Sequence, residues 1–204
     1  MKLVLLIATG LLAHLMLHVL ILSRLDFKLG ISLVLDVAGF IAGLYLADFC
    51  TSLAHYWGDC PERWHSRYLR KYRELAAYHH KAPLAVLKES FWQIRGNIAW
   101  LYSPPLILAL YLTNTPAASP IVYMLMALSN GIFLSHTLHK SLHSTHQPWP
   151  LRILQALGLV ISRDYHMRHH IPPYDRNFAA LNGWSDALFK RCIARPAKTS
   201  RSGC

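Results

Sequence analysis

The sequence predicts an all-α integral membrane protein: about four transmembrane helices and a cytosolic histidine-rich helical cap. Three observations predict it. Four apolar runs lie near the ~20 residues that cross a bilayer. Lys and Arg are distributed unequally about those runs. Eight histidines fall in four short groups, and all four groups lie on one side of the predicted spans.

The chain has 204 residues, 53% of them hydrophobic, and a formal charge of +11. That length holds one domain, read over 1–204. The charge suits a nucleic-acid binder, but the basic residues border apolar runs, so the spans account for them and no nucleic-acid partner is expected. Cys50, Cys60, Cys192 and Cys204 form no C-x-x-C pair and no secreted disulfide framework.

Leu3–Leu22 contains no charged residue. Lys2 supplies the basic start of a signal peptide, yet the run is long and no small-x-small cleavage site follows, so a retained first span over 3–22 is expected. A polar turn, Ser23–Lys28, leads to the second span over 29–49, with Asp36 inside it and Asp48 at its end. Residues 50–97 mix Arg63, Arg67, Arg70 and Lys71 with Trp57, Trp64 and Trp92. Beside spans this is an aromatic belt with a cationic collar.

Ile98–Leu112 is short and interrupted by Pro104-Pro105. With its flanks it forms a third span over 98–115, either complete or re-entrant. The fourth, 121–138, runs directly into His139 and His143. Residues 150–162 are too short to span and read as an interfacial helix. Pro172-Pro173 stops any helix there. Asn182-Gly183-Trp184 reads as a turn before a short amphipathic segment ending near Cys192. A basic, disordered tail is expected over 195–204. With both termini inside, nineteen of the 21 Lys and Arg are cytosolic; only Arg24 and Lys28 lie outside.

The four histidine groups are His55 with Asp59 (H-x3-D), His79-His80, His139 with His143 (H-x3-H), and His166, His169 and His170 (H-x-x-H-H). On a helix the last three share one face. Clustered neutral imidazoles suit iron, copper, nickel or zinc. One zinc takes four protein ligands at most, so eight imidazoles exceed one metal and match two. Asp59, Asp164 and Asp175 are candidate acceptors for ligand N–H groups, with solvated surface charge as the alternative. His136, one turn before His139, is either a further ligand or a helix-packing donor. His65 and His146 are expected at the surface. His14 and His18 stand at i, i+4 in the first span, level with Asp36; a His–Asp hydrogen bond joining the two helices is expected, with haem ligation as the alternative.

These motifs resemble the membrane-bound di-iron desaturases and hydroxylases. More closely they resemble the Kua/CarF-type membrane lipid desaturases, the plasmanylethanolamine desaturase-like family. The resemblance runs from Asp48 to Asp186 and rests on H-x3-D at His55–Asp59, H-H-x-x-P at His79–Pro83, H-K-x-x-H at His139–His143, H-x-x-H-H at His166–His170, and Gly183-Trp184. Tyr56 stands where the family has Trp, and Ala82 where it has Asp.

The resemblance implies a single lipid desaturase domain. His55, His79, His80, His139, His143, His166, His169 and His170 would hold two iron ions, with no catalytic residue beyond these ligands. O2 would be the co-substrate and a membrane phospholipid the substrate. The product would be a C=C bond in an alkyl-ether chain, giving a vinyl ether, or in an acyl chain. A separate donor, cytochrome b5 or a ferredoxin, would supply electrons. A di-iron lipid hydroxylase and a non-enzymatic membrane regulator are the other two function classes.

Overall fold

The computed structural model describes residues 2–25, 30–59, 70–90 and 99–192, and no strand occurs among them. Its helices are α1 (Lys2–Leu22), α2 (Ile31–Asp59), α3 (Arg70–Lys81), α4 (Ala99–Leu112), α5 (Ser119–His143), α6 (Trp149–Ala156), α7 (Arg163–His169) and α8 (Asp186–Cys192). The tail expected over 195–204 lies outside the described residues, as do 60–69 and 91–98, which hold much of the expected cationic collar.

Among the described residues, two helices are long and apolar enough to cross a bilayer, α2 and α5. In the most apolar window of α2 only 22% of residues are buried, and in that of α5 39%. A core helix of a soluble protein would hide most of such a window. Here Ile31, Val34, Leu35, Phe40 and Ile41 of α2 are exposed instead, an apolar surface that suits lipid contact. Leu12–Leu22 of α1 and Leu101–Leu112 of α4 are shorter apolar stretches. At 14 residues, α4 measures about 21 Å, less than the ~30 Å hydrocarbon layer, and runs on through Pro104 and Pro105.

The chain divides into two units. The first comprises Met1–Ala47 and Ser90–His136, the second Asp48–Glu89 and Thr137–Cys204. In the first, Ile21, Leu106, Ala109, Val122, Leu125 and Met126 form the core. Gly39 and Gly43 let α2 and α5 meet backbone to backbone. A Cβ on Gly39 would stand 2.1 Å from Pro120 O, and one on Gly43 2.2 Å from Met124 O. The G-x3-G spacing places both on one face.

The expected His–Asp bond does not form. Asp36 accepts from Ser119 Oγ (2.7 Å). His18 donates from Nδ1 to His14 O (2.8 Å) and accepts at Nε2 from Asn130 Nδ2 (2.8 Å). The ring of His14 stacks on Phe133 at 5.0 Å. Asp36 and His18 thus find neutral partners on α5 or on their own helix backbone, which is cheaper in an apolar setting than pairing charges.

In the second unit, Tyr56, Phe178 and Phe189 form an aromatic core, with Phe49, Leu53 and Trp57 against it. The apolar run of α2 ends near Phe49, but the helix continues ten residues further because no Pro or turn signal interrupts Cys50–Asp59. The interfacial helix expected over 150–162 is shorter, Trp149–Ala156. Gly158 takes φ +69°. Gly158 N–H bonds Gln155 O, and Leu159 N–H bonds Leu154 O, a paired closure that ends the helix on a left-handed glycine. Asp48, fully buried, pins the turn after Asn182. Its Oδ1 accepts from the N–H groups of Asn182 (3.0 Å) and Gly183 (3.0 Å), and Oδ2 from Ser185 N–H (2.9 Å) and Oγ (2.7 Å).

Candidate metal centre

Four segments of the second unit carry the histidine groups. His55 and Asp59 ride on the last turns of α2. His79 and His80 occupy the last turn of α3, which stops because Pro83 disfavours a helical Ala82; Ala82 takes φ −134°. His139 and His143 end α5. His166 and His169 lie on α7, with His170 as its C-cap residue; Ser162 caps the start by accepting Tyr165 N–H at 3.1 Å.

These side chains converge in two sets. The first is His79, His139, His143, His166 and His170; the second is Asp59, His80 and His169. In the first set, His143 Nε2 stands 3.1 Å from His79 Nε2, 3.3 Å from His139 Nε2 and 2.9 Å from His166 Nε2. His170 Nε2 is 3.2 Å from His166 Nε2. A ring nitrogen has one in-plane site and so makes one hydrogen bond. Three neighbours at that range cannot all be hydrogen bonds to His143. Two nitrogens each about 2.0–2.1 Å from a common ion stand about 2.9–3.4 Å apart at right-angled to tetrahedral bond angles. The observed edges fall in that interval.

Burial presses the proton affinity of this set down; next come the neighbouring imidazoles for His79, His139, His166 and His170, and the Arg163 guanidinium for His143. His79 falls to about 3, burial first and His143 next. His166 and His170 also lie well below the ordinary imidazole value, for the same primary reason. At neutral pH their rings are uncharged and their lone pairs available to a metal.

The second set is a carboxylate between two imidazoles. Asp59 Oδ1 lies 2.8 Å from His80 Nε2, and Oδ2 3.1 Å from His169 Nε2; the Asp59 side chain is 2% exposed. His169 Nδ1 is 2.8 Å from Arg176 O. A carbonyl only accepts, so Nδ1 carries the proton and Nε2 of the neutral ring presents a lone pair to Asp59. Two acceptors facing each other need a cation between them, a proton or a metal ion. His169 Nε2 and Asp59 Oδ2 are both buried without a hydrogen bond. The donor set therefore fits a metal on an orphaned buried pair.

His55 belongs to neither set. Its ring lies 5.2 Å from that of His139 and 5.5 Å from that of His169. Its Nδ1 is 2.6 Å from Phe178 O, so Nδ1 carries the proton and Nε2 of the neutral ring does not. Asp164 and Asp175 are exposed; Asp164 sits in the first turn of α7, where it favours the helix dipole. His136 Nδ1 is 3.4 Å from Ile132 O on its own helix.

Asp59 was read from sequence as an acceptor behind the ligands; the structure places it among the converging atoms. Asp48 had no signal beyond its place at the end of an apolar run, since its partners lie some 134 residues away. The division of each doublet was legible: adjacent helical residues point about 100° apart, so His79 and His80, and likewise His169 and His170, serve different sets.

A family model described as a lipid desaturase domain matches residues 44–193, which takes in every one of these residues. Plasmanylethanolamine desaturase 1 of Mus musculus is 26% identical over 190 residues, covering 86% of this chain and 66% of that protein. Plasmanylethanolamine desaturase of Myxococcus xanthus is 27% identical over 156 residues, covering 71% and 52%. The chloroplastic fatty acid desaturase 4-like 2 of Arabidopsis thaliana is 26% identical over 156 residues, covering 75% and 54%. The chain thus spans between about half and two thirds of the length of these relatives. No solved structure matches it. With well over half of its length and both converging sets inside the matched segment, the chain belongs to the lipid desaturase domain family.

Proposed function

We propose that the chain is an O2-dependent desaturase of membrane phospholipids that uses two iron ions. The observation that carries the metal reading is the trio of Nε2 neighbours within 3.3 Å of His143 Nε2. Family membership supplies the reaction class. The plasmanylethanolamine desaturases among its relatives favour an alkyl-ether chain as substrate and a vinyl ether as product. α2 and α5 cross the bilayer in this reading, as do α1 and α4 with its flanks. Both termini and the histidine groups lie on the cytosolic side.

His79, His139, His143, His166 and His170 would hold one ion. Asp59, His80 and His169 would hold the other, with His55 beside both. Iron there would supply the reduction of O2, with two electrons, two protons and the two hydrogens of adjacent methylenes leaving with its oxygens as two waters. The electrons come from a separate donor of cytochrome b5 or ferredoxin type.

The chain's own part is positional. Phe178 O and Arg176 O hold the Nδ1 protons of His55 and His169, which fixes tautomer and ring direction. Asp59 lowers the positive charge of the site. The Phe178 ring packs on His169 at 5.4 Å, with Tyr56 and Phe189 behind it. That wall keeps water from one side of the site.

The test is iron per chain in detergent-purified protein, parent against His169→Ala/His170→Ala, followed by lipid mass analysis in cells expressing each. About two irons in the parent, a deficit in the double variant, and a lipid lighter by two hydrogens only with the parent are expected. A gain of one oxygen would make the enzyme a hydroxylase. Iron-free parent protein, or zinc that the variant retains, would leave a membrane regulator as the reading.

A further inference from the structure

A polar cleft of about 510 Å³ opens in the second unit, lined by Thr145, His146, Gln147, Arg152, Gln155 and Arg163. It lies outside both converging sets. Its lining has two guanidinium groups and no carboxylate. Neither Arg152 nor Arg163 makes an ion pair among the described residues. Arg163 Nε is buried without a hydrogen-bond partner. A buried guanidinium N–H without an acceptor is costly, and structures rarely leave one so. The remaining lining groups are the Thr145 hydroxyl and the His146 ring, paired with each other at 3.1 Å (Oγ1 to Nδ1), and the amides of Gln147 and Gln155. Those amides are partly engaged, Gln147 Nε2 with Ser141 O and Gln155 Nε2 with Ile161 O, so the two arginines are the uncommitted charges. Forked guanidinium donors with no internal counter-ion suit an oxyanion, and phosphate above all.

Two placements say which phosphate. Arg152 belongs to α6, and around it Trp149 (72% exposed), Ile153, Leu154, Leu157 and Leu159 present apolar side chains to the surroundings. A short helix with that surface lies at the level of lipid headgroups. The cleft is also bordered by the chain on either side of the first converging set. Thr145 follows His143 by two residues, and Arg163 precedes His166 by three on α7. We infer that this cleft binds the phosphate of a phospholipid headgroup through Arg152 and Arg163, and so holds the substrate lipid beside the histidine sets. This rests on the desaturase reading for the word substrate alone; the anion site stands on its own residues.

The experiment uses the full chain in uncharged detergent and follows binding by native mass spectrometry. The probes are dihexanoyl-phosphatidylethanolamine, dihexanoylglycerol, inorganic phosphate and an acidic electron-donor protein, a cytochrome b5, with iron counted in the same samples. Variants are Arg152→Gln, Arg163→Gln and, to guard against misfolding, Arg163→Lys; Arg70→Gln on exposed α3 is the control. Loss of one charge-assisted contact should weaken the phospholipid roughly ten- to hundredfold. Arg163→Lys should recover part of this. Dihexanoylglycerol binding should not change, nor should any binding in Arg70→Gln.

Phospholipid binding that is indifferent to both arginines overturns the inference. Inorganic phosphate bound as tightly as the phospholipid overturns the lipid assignment in favour of a free-anion site. Arginine dependence found only for an acidic electron-donor protein overturns it in favour of that partner. Arginine-dependent lipid binding in a parent that takes up no iron would leave the headgroup site standing and remove the desaturase reading. The converse, an iron-loaded parent with arginine-independent lipid binding, would do the reverse.

Discussion

Asp48→Asn tests whether the turn that orients the ligands is held by one buried carboxylate. Asp48 is 0% exposed and accepts four hydrogen bonds, three of them from backbone N–H groups. Asparagine keeps the shape and one oxygen. If that oxygen stays with Asn182 and Gly183, the new NH2 group faces Ser185. The Ser185 hydroxyl can turn to accept, but its backbone N–H cannot, so one buried donor is stranded and two charge-assisted bonds are lost. That sums to about 2–4 kcal/mol, and on a chain of this length each kcal/mol moves the melting temperature by about 2–4 °C. A fall of about 4–16 °C in detergent is therefore expected. The same stretch supplies Arg176 O and Phe178 O to His169 and His55, so iron affinity should fall too, on the order of tenfold as for other groups behind metal ligands. Differential scanning fluorimetry and iron titration of the metal-stripped protein measure both. A variant that melts with the parent and binds iron as tightly would refute the reasoning, because it would mean the turn needs no anion.

Three further outcomes follow from the geometry. Gly43→Ala places a Cβ 2.2 Å from Met124 O and 2.8 Å from Ala127 Cβ; backbone cannot yield cheaply, so a loss of about 3 kcal/mol is expected, read as a lower melting temperature, and an unchanged melt would mean the two helices part without cost. Asp59→Asn keeps size and removes charge between His80 and His169; one of two irons should bind at least tenfold more weakly, and equal loss of both would contradict two separable sets. Metal-stripped protein should lose stability as pH falls. His79, His166 and His170 titrate below their unfolded value in the folded chain. Between that value, about 6.5, and the folded ones, the unfolded chain binds more protons, so stability is fullest above about pH 6.5 and declines below it; a melting temperature flat from pH 7 to 4 would show these rings reach water.

Local chemistry made some features readable in advance and long-range pairing hid others. The apolar runs gave the helices because each carries its own signal within twenty residues. The extension of α2 to Asp59 was missed because hydropathy stops at Phe49 while helix propensity does not. The end of α6 was placed too late because it depends on Gly158 adopting φ +69°, a signal of one residue inside an apolar stretch. The Asp36 partner was misread for another reason. A charged residue in a span suggests an ionisable partner, but a serine hydroxyl on α5 satisfies it at 2.7 Å. Gly39-x3-Gly43 was visible in the sequence and went unused, since spacing alone does not say which helix it meets.

The histidine sets show how a periodic scaffold can build two converging side-chain sets from few segments. One helical turn repeats every 3.6 residues, so His139 and His143, and His166 and His170, return to one direction and supply four of the five nitrogens of the first set. A residue placed next to such a ligand points elsewhere: His80 beside His79, and His169 beside His170. Those two meet Asp59, one turn beyond His55 on α2, at 2.8 and 3.1 Å. The doublets are therefore what separates the sets while keeping them adjacent. Exchanging one partner of a doublet should then act on one set only. His79→Ala should lower iron by about one per chain and leave a remainder sensitive to Asp59→Asn, whereas His80→Ala should leave a remainder insensitive to it. If both variants lose all iron together, the sets form a single cooperative site, and adjacency rather than separation is what the doublets provide.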